Sequence, residues 1–197
     1  MSYTGGMKRG LVGAFVMVAA LAASSADASV SIRVSWDGLL RESTAAVVAT
    51  PAEATTVWEN GRIVTYTRLH VDRAIAGELG AGSDAWVRTL GGVVGKIGQS
   101  VDGEAVFTQG QPGLLFLHPG PPGAYVVTAR GQGQFPIVPD ADPAAASHLV
   151  KSSAAGLLLL PQAPGPPSLF ASEMVHGRKV DEVAHDVVAA WDRTHVH

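Results

Sequence analysis

The stretch GRIVTYTRLHVDRAI, residues 61–75, constrains the fold of this chain more than any other part of its sequence. β-Branched and aromatic residues dominate it, and two series of side chains alternate along it, as the two faces of a β-strand require. One series contains Ile63, and the other contains Tyr66, Arg68 and His70. Apolar and polar side chains are mixed in the middle of the stretch, which favours a strand that bends around a small barrel.

Further strands are predicted by apolar runs that lie between glycine and proline turns. They cover residues 46–50, 86–90, 104–107, 114–117 and 124–130, followed by a hairpin that pairs 135–138 with 148–152. An alternative for 142–149 is one helical turn that starts at Pro143. The continuous apolar run 114–117 is typical of a strand buried on both faces. Short strands at nearly regular spacing indicate a small β-barrel or a sandwich.

Two helices are predicted at the ends of this β-rich region. A short one places Trp36, Leu39 and Leu40 on one side. The second lies in 178–197, after a Pro-rich connector at 161–177, and its apolar residues recur with a helical period. This stripe consists of Val180, Val183, Ala184, Val187, Val188 and Trp191. The expected architecture is therefore mainly β: a small closed or partly open barrel over 29–160, with a short N-terminal helix and a C-terminal amphipathic helix packed on it.

The first 28 residues have the pattern of a signal peptide. Lys8 and Arg9 precede an apolar run, 11–23, whose 13 residues are fewer than the roughly 20 that span a bilayer. Ala26 and Ala28 form the small-x-small pattern of a cleavage site. We expect cleavage after Ala28, no membrane span in the mature chain, and export to the periplasm or the extracellular space.

Composition excludes several classes of function. The chain has no cysteine, which excludes a disulfide framework and thiolate chemistry. Its net charge of −3 becomes −4 when Lys8, Arg9 and Asp27 leave with the signal peptide. A weakly acidic chain without a basic block is a poor nucleic-acid binder. No nucleic-acid partner is therefore expected.

The glycine-rich stretch GGVVGKIG, residues 91–98, resembles a phosphate-binding loop but does not meet its requirements. The two glycines at 91 and 95 are one residue too close, and Ile97 stands where a P-loop has a serine or threonine. Residues 98–107 show turn chemistry rather than the start of a helix. We expect Gly91, Gly92, Gly95 and Gly98 to permit tight bends or bulges, and no cofactor is predicted. The alternative is that bare backbone here approaches a partner closely.

Motifs for catalysis or metal binding are weak. The sequence contains neither the H-E-x-x-H pattern of zinc proteases nor the G-x-S-x-G elbow of serine hydrolases. Asp181 and His185 are four residues apart on the predicted helix, and His195 and His197 end the chain, which together could form a surface metal site. A solvated helix face and a frayed terminus explain the same residues. Carboxylate pairs such as 102/104 and 140/142 flank turns, where solvated carboxylates are routine.

Several segments together resemble a family of secreted bacterial small β-barrel domains. They are LLRESTAAVVAT at 39–50, GRIVTYTRLHVDRAIAGE at 61–78, the stretch 87–117, the segment 125–138 and the closing helix. The most specific part is 88–117, where a G-G-x-x-G segment precedes F-x-x-G-x-x-x-L-L-F-L. The resemblance implies an OB-like barrel of unassigned function, found alone or beside matrixin-type metalloprotease domains. It implies no catalytic residues.

These observations predict an exported, non-enzymatic binding or structural protein of the periplasm or cell surface. Its partner would be a protein or polysaccharide of the envelope. Small barrels bind along a strand face and its loops, which makes Tyr66, Arg68 and His70 candidate contacts. The four tryptophans are mostly core candidates, but Trp58 lies beside a predicted turn and is a fourth candidate contact. The alternatives are an accessory or inhibitory domain for a secreted protease, and a metal-dependent hydrolase that uses His and Asp residues.

Overall fold

The computed structural model describes residues 30–140, 147–150, 158–160 and 169–195. The predicted signal peptide, residues 161–168 of the predicted connector and His197 lie outside these residues. The strands are β1 Val30–Ile32, β2 Ala45–Glu59, β3 Arg62–Gly77, β4 Asp84–Leu90, β5 Gly92–Val94, β6 Ile97–Gln99, β7 Gly113–Pro119, β8 Tyr125–Val127, β9 Gln134–Val138, β10 His148–Leu149 and β11 Leu158–Leu160. The helices are α1 Trp36–Glu42, α2 Ala171–Val175 and α3 Val180–Thr194, with a short 3-10 helix at Arg130–Gly133.

Five of the strands form a barrel. β2, β3 and β4 follow one another as an antiparallel meander, and β7 pairs with the free edge of β2. β8 closes the circle, because it is antiparallel to β7 and parallel to β4. The β4–β8 pairing consists of Val87 opposite Tyr125, so the barrel is only partly closed at this seam. The expectation of a mainly β, OB-like barrel is confirmed.

The barrel is extended at β7, whose second edge is shared by two partners. β8 occupies the end near Pro119, and β9 pairs with residues 113–115 at the other end. β10 then pairs with β9 and places His148 opposite Val138. This is the predicted hairpin, of which residues 151 and 152 lie outside the described ranges. Outside the barrel, β1 and β11 form a parallel pair, and β5 and β6 form a small hairpin.

The β2–β3 hairpin is the longest element, and its turn is dictated locally. Asn60 and Gly61 both have positive φ, between Glu59 and Arg62, which face each other. An Asn-Gly pair in this conformation forms the two-residue turn that suits the twist of a hairpin. The β2–β3 register shifts at three places, the last between Pro51 and Glu53. Such irregularities bend strands, which explains the mixed polar and apolar pattern of β3.

Two apolar cores lie on either side of β7. Leu115 and Leu117 point into the barrel, whereas Phe116 belongs to a second core beneath the helices. The ring of Phe116 makes edge-to-face contacts with Trp36 at 5.9 Å and with Phe135 at 6.2 Å between centroids. The expected burial of both faces of 114–117 is confirmed.

The helices cover this second core. Ser35 caps α1 by accepting a hydrogen bond at its Oγ from the backbone N–H of Gly38. α3 buries Val183, Val187 and Ala190, whereas Val188 is 52% exposed. At about 100° per residue the buried arc is centred between Val183 and Val187, which leaves Val188 at its edge.

Two local predictions differ from the structure. α2 lies within 161–177, where the sequence predicted a connector. Residues 104–107, predicted as a strand, are irregular and are held by Gln134, whose side-chain amide exchanges two hydrogen bonds with the backbone of Val106. In the part of the chain that the structure describes, no helix has the length and apolarity needed to cross a membrane.

Candidate functional site

The candidate site is the solvent-facing side of β3 and β4, here called the outer face. It consists of Tyr66, Arg68 and His70 on β3 and of Arg88, Trp86 and Asp84, which lie directly opposite them on β4. The alternation of a strand points the residues between them, such as Leu69 and Val87, into the barrel, where both are fully buried. The buried set thus fixes the direction in which the outer-face side chains point.

Arg68 lies at the centre of a hydrogen-bonded chain of charges. Its Nε donates to Oε1 of Glu53 at 2.8 Å, and its Nη1 donates to Oδ2 of Asp84 at 2.6 Å. The other oxygen of Asp84 lies 3.0 Å from Nδ1 of His70. Hydrogen bonds from His70 and then from Arg68 lower the pKa of the Asp84 carboxyl. Asp84 is therefore ionised at neutral pH and connects the side chains of Arg68 and His70.

A second cluster lies at the other end of the outer face. Glu59 reaches it from β2, accepting a hydrogen bond from the Tyr66 hydroxyl at 2.7 Å and one from Nη2 of Arg88 at 2.8 Å. The hydrogen bond from Arg88, with that from Tyr66, lowers the pKa of Glu59, and the ionised Glu59 raises the pKa of Tyr66. The phenol thus stays protonated and keeps its donor on the carboxylate.

Trp86 lies between these two clusters. It faces Arg68 across the strand pair and is flanked along β4 by Asp84 and Arg88. The sequence predicts a core position for Trp86, but it is 37% exposed. The alternation in DAWVRTL places Trp86 on the side of Arg88 and opposite to Val87, but it does not show which of the two sides is covered.

Trp58 does not join the outer face. It pairs with Ile63, whose side chain belongs to the inward series of β3, so the indole points away from Tyr66, Arg68 and His70. Trp58 is 51% exposed near the tip of the hairpin. Of the four predicted contact residues, the structure brings three together and separates the fourth from them.

The glycine-rich stretch forms the β5–β6 hairpin, which packs against the tip of the β2–β3 hairpin. Gly91, Gly92 and Gly95 have positive φ values of 95°, 129° and 61°. A Cβ on Gly92 would lie 2.5 Å from Oγ1 of Thr65, and a Cβ on Gly91 would lie 2.7 Å from a backbone oxygen. Gly98 has neither constraint, since its Cβ would meet its nearest neighbour at 3.7 Å. Backbone geometry therefore requires glycine at three of the four positions.

An open pocket of about 430 Å³ lies beside this hairpin. Val93 and Val106 line it together with Glu104, which is only 8% exposed. Burial raises the pKa of the Glu104 carboxyl, while the charge of Arg130 and hydrogen bonds with the backbone of Leu90 and Ala105 act in the opposite direction. Leu90 is the last residue of β4, so the carboxyl holds the segment around Glu104 to the end of that strand. The contacts of Glu104 with the backbone therefore explain its buried position by a structural role.

Two of the residues considered for metal binding, Asp181 and His195, are engaged elsewhere. Asp181 forms an ion pair with Arg73 of β3. The ring of His195 stacks on Trp191, and its Nε2 lies 2.9 Å from the carbonyl oxygen of Ser43. Across the described ranges, no group of three or more His, Asp or Glu side chains is arranged to hold a metal ion.

No family model matches this chain, and comparison with curated proteins and with solved structures returns no significant match.

Proposed function

We propose that this protein is an exported, non-enzymatic binding protein of the periplasm or cell surface that holds its partner on the outer face of β3 and β4. The observation that carries the proposal is the arrangement of the side chains on that face. Trp86 stands exposed between two sets of charged side chains that are hydrogen-bonded to one another. Small barrels of this strand order bind ligands along the corresponding face. The signal-peptide pattern of 1–28 supports the proposed compartment.

The outer face is also organised before any partner arrives. Arg68 has two carboxylate partners and Arg88 has one, so both long side chains are held in one arrangement. Side chains that are already ordered lose less conformational entropy on binding. Strands also hold such groups in place better than loops do. These properties favour recognition of a partner over a purely structural role.

The proposal is tested by a crosslinking pull-down from the native envelope and secreted fractions. The bait is the mature chain, and the test variants are Trp86→Ala and Arg68→Ala. Trp58→Ala is the matched control, because it removes an exposed tryptophan of β2 that lies on the opposite side of the sheet from the outer face. We expect the two outer-face variants to lose the captured partner and the control to retain it.

Circular dichroism and the melting temperature establish that each variant is folded. If folded Trp86→Ala and Arg68→Ala proteins capture the same partner at the wild-type level, the outer face is not the binding surface. If the captured partner is a protease, the protein is an accessory domain that uses the same face. The identity of the captured molecule thus separates the two roles.

A further inference from the structure

The outer face and the β2 carboxylates beside it carry charges of both signs in alternation. Two guanidinium groups and three carboxylates are paired there: Arg68 with Glu53 and Asp84, and Arg88 with Glu59. A polyanion on this surface would meet carboxylates beside each arginine, and a polycation would meet the arginines. Because complementary potential determines which charged partners are admitted, this arrangement disfavours strongly charged ligands of either sign.

The same groups retain hydrogen-bonding capacity that faces solvent. A carboxylate offers about four acceptor positions, and Asp84 uses one on each oxygen for Arg68 and His70. The guanidinium of Arg68 donates through Nε and Nη1, which leaves its remaining N–H groups available. The Arg68 side chain is 34% exposed. Acceptors and donors therefore lie side by side, a pattern that suits hydroxyl groups, which both donate and accept.

Trp86 adds an apolar surface in the middle of these polar groups. Its indole faces Arg68 across the strands and has Asp84 and Arg88 on either side along β4. Large aromatic rings offer apolar contact area with little conformational entropy to lose. A sugar ring presents C–H groups on its face and hydroxyls around its edge. The indole can take the face while Arg68 and Asp84 take the hydroxyls.

The size of the outer face indicates a polymer. Tyr66 and His70 are four residues apart on an extended strand, which corresponds to roughly 13 Å. That length exceeds one sugar ring, so the face has room for more than one sugar unit. We infer that the outer face binds a neutral polysaccharide, with Trp86 as the stacking platform and Arg68 and Asp84 as the hydroxyl partners. This inference rests on the proposed function and names the ligand class of the same surface.

The test uses an array of neutral and acidic glycans, followed by affinity gel electrophoresis with the neutral polysaccharide that binds. We expect binding to neutral glycans that persists at ~0.5 M salt, where exposed charge–charge attraction is screened. Trp86→Ala should weaken binding about tenfold or more, and Trp86→Phe should recover most of it, because phenylalanine keeps an aromatic face. Trp58→Ala should bind as the wild type does.

The outcomes separate this inference from the proposed function. If no neutral glycan binds, while Trp86→Ala still loses a captured envelope protein, the ligand class is wrong and the binding surface stands. Binding to acidic glycans that disappears with salt overturns the inference as well. If Trp86→Ala and Arg68→Ala change neither glycan binding nor capture of a partner, both proposals fail. Equal effects of Trp58→Ala and Trp86→Ala on glycan binding also contradict the assignment of the site.

Discussion

Gly92 packs against the side chains of Thr65 and Thr56, and its replacement by alanine is a sharp test of how the β5–β6 hairpin packs on the barrel. Gly92 has φ near 129°, and an added Cβ would lie 2.5 Å from Oγ1 of Thr65 and 2.6 Å from Cγ2 of Thr56. The hydroxyl oxygens of these two threonines are 3.0 Å apart and share a hydrogen bond. The hydroxyl of Thr65 also donates to the carbonyl oxygen of Gly91 at 2.7 Å. The new methyl group must therefore displace a hydrogen-bonded pair or shift the β5–β6 hairpin.

The expected loss of stability has two parts. A non-glycine residue in this backbone region costs about 1–3 kcal/mol. Loss of the two threonine hydrogen bonds adds about 0.5–1.5 kcal/mol for each. Gly92→Ala should therefore lower the free energy of unfolding by about 2–6 kcal/mol, a large part of the stability of a chain of this size.

Two other glycines of the same hairpin provide graded controls. Gly95 has φ of 61° and open space around it, so Gly95→Ala should cost only the backbone term, about 1–2 kcal/mol. Gly98→Ala meets neither strain nor a close neighbour, and we expect a change within about 0.5 kcal/mol. Combined with Gly92→Ala in a double variant, Thr56→Ser removes the clashing methyl group. It should recover part of the stability that Gly92→Ala loses.

Urea unfolding, followed by circular dichroism and analysed by linear extrapolation, measures this series. The order of stability should be Gly98→Ala, then Gly95→Ala, then Gly92→Ala as the least stable. Gly92→Ala and Gly98→Ala proteins with the same unfolding midpoint and slope would refute the reasoning. A Thr56→Ser change that gives no recovery would show that the clash is relieved in another way.

Three further changes follow from the core and its polar contacts. Phe116→Ala should lower the free energy of unfolding by about 3–5 kcal/mol, because the ring is fully buried between two aromatic neighbours; a urea midpoint close to that of the wild type would contradict this. His195→Ala should lower it by about 1–2 kcal/mol, through loss of the stack on Trp191 and of the contact with Ser43, seen as a lower melting temperature. Burial raises the pKa of Glu104 above that of a solvated carboxyl group, so the folded state binds this proton more tightly than the unfolded state does. The contribution of Glu104 to stability is therefore full below the unfolded-state pKa and falls as pH rises through the folded-state pKa. Glu104→Gln should therefore gain stability relative to the wild type over that window in urea titrations, whereas a difference that does not vary with pH would exclude the linkage.

The strands and helices of this protein could be predicted because their signals are local. Alternation along β3 reflects the pleat of a strand, and the run 114–117 reflects burial on both faces. Asn60 and Gly61 specify a two-residue turn through their tolerance of positive φ. The apolar period of α3 identified the buried side of that helix, with Val188 as the exception at its edge.

The candidate site was only partly predictable, because a strand pattern shows two faces without showing which face is covered. Tyr66, Arg68 and His70 share a parity and therefore a face, so they could be grouped from the sequence. Trp86 joined them only when β4 paired with β3 in the register that sets it opposite Arg68. Trp58 left the group because its pairing with Ile63 places it on the other face.

The sequence by itself determined the local elements of this protein, namely alternating strands, a tight hairpin and an amphipathic helix, since steric preferences and periodicity act between near neighbours in the chain. The tertiary structure decided the rest. The parallel contact of β8 with β4, the burial of Glu104 beside the end of β4 and the exposure of Trp86 each depend on residues far apart in the chain. Their positions follow from which edges meet when the barrel closes, and that choice is made by the packing of the whole core.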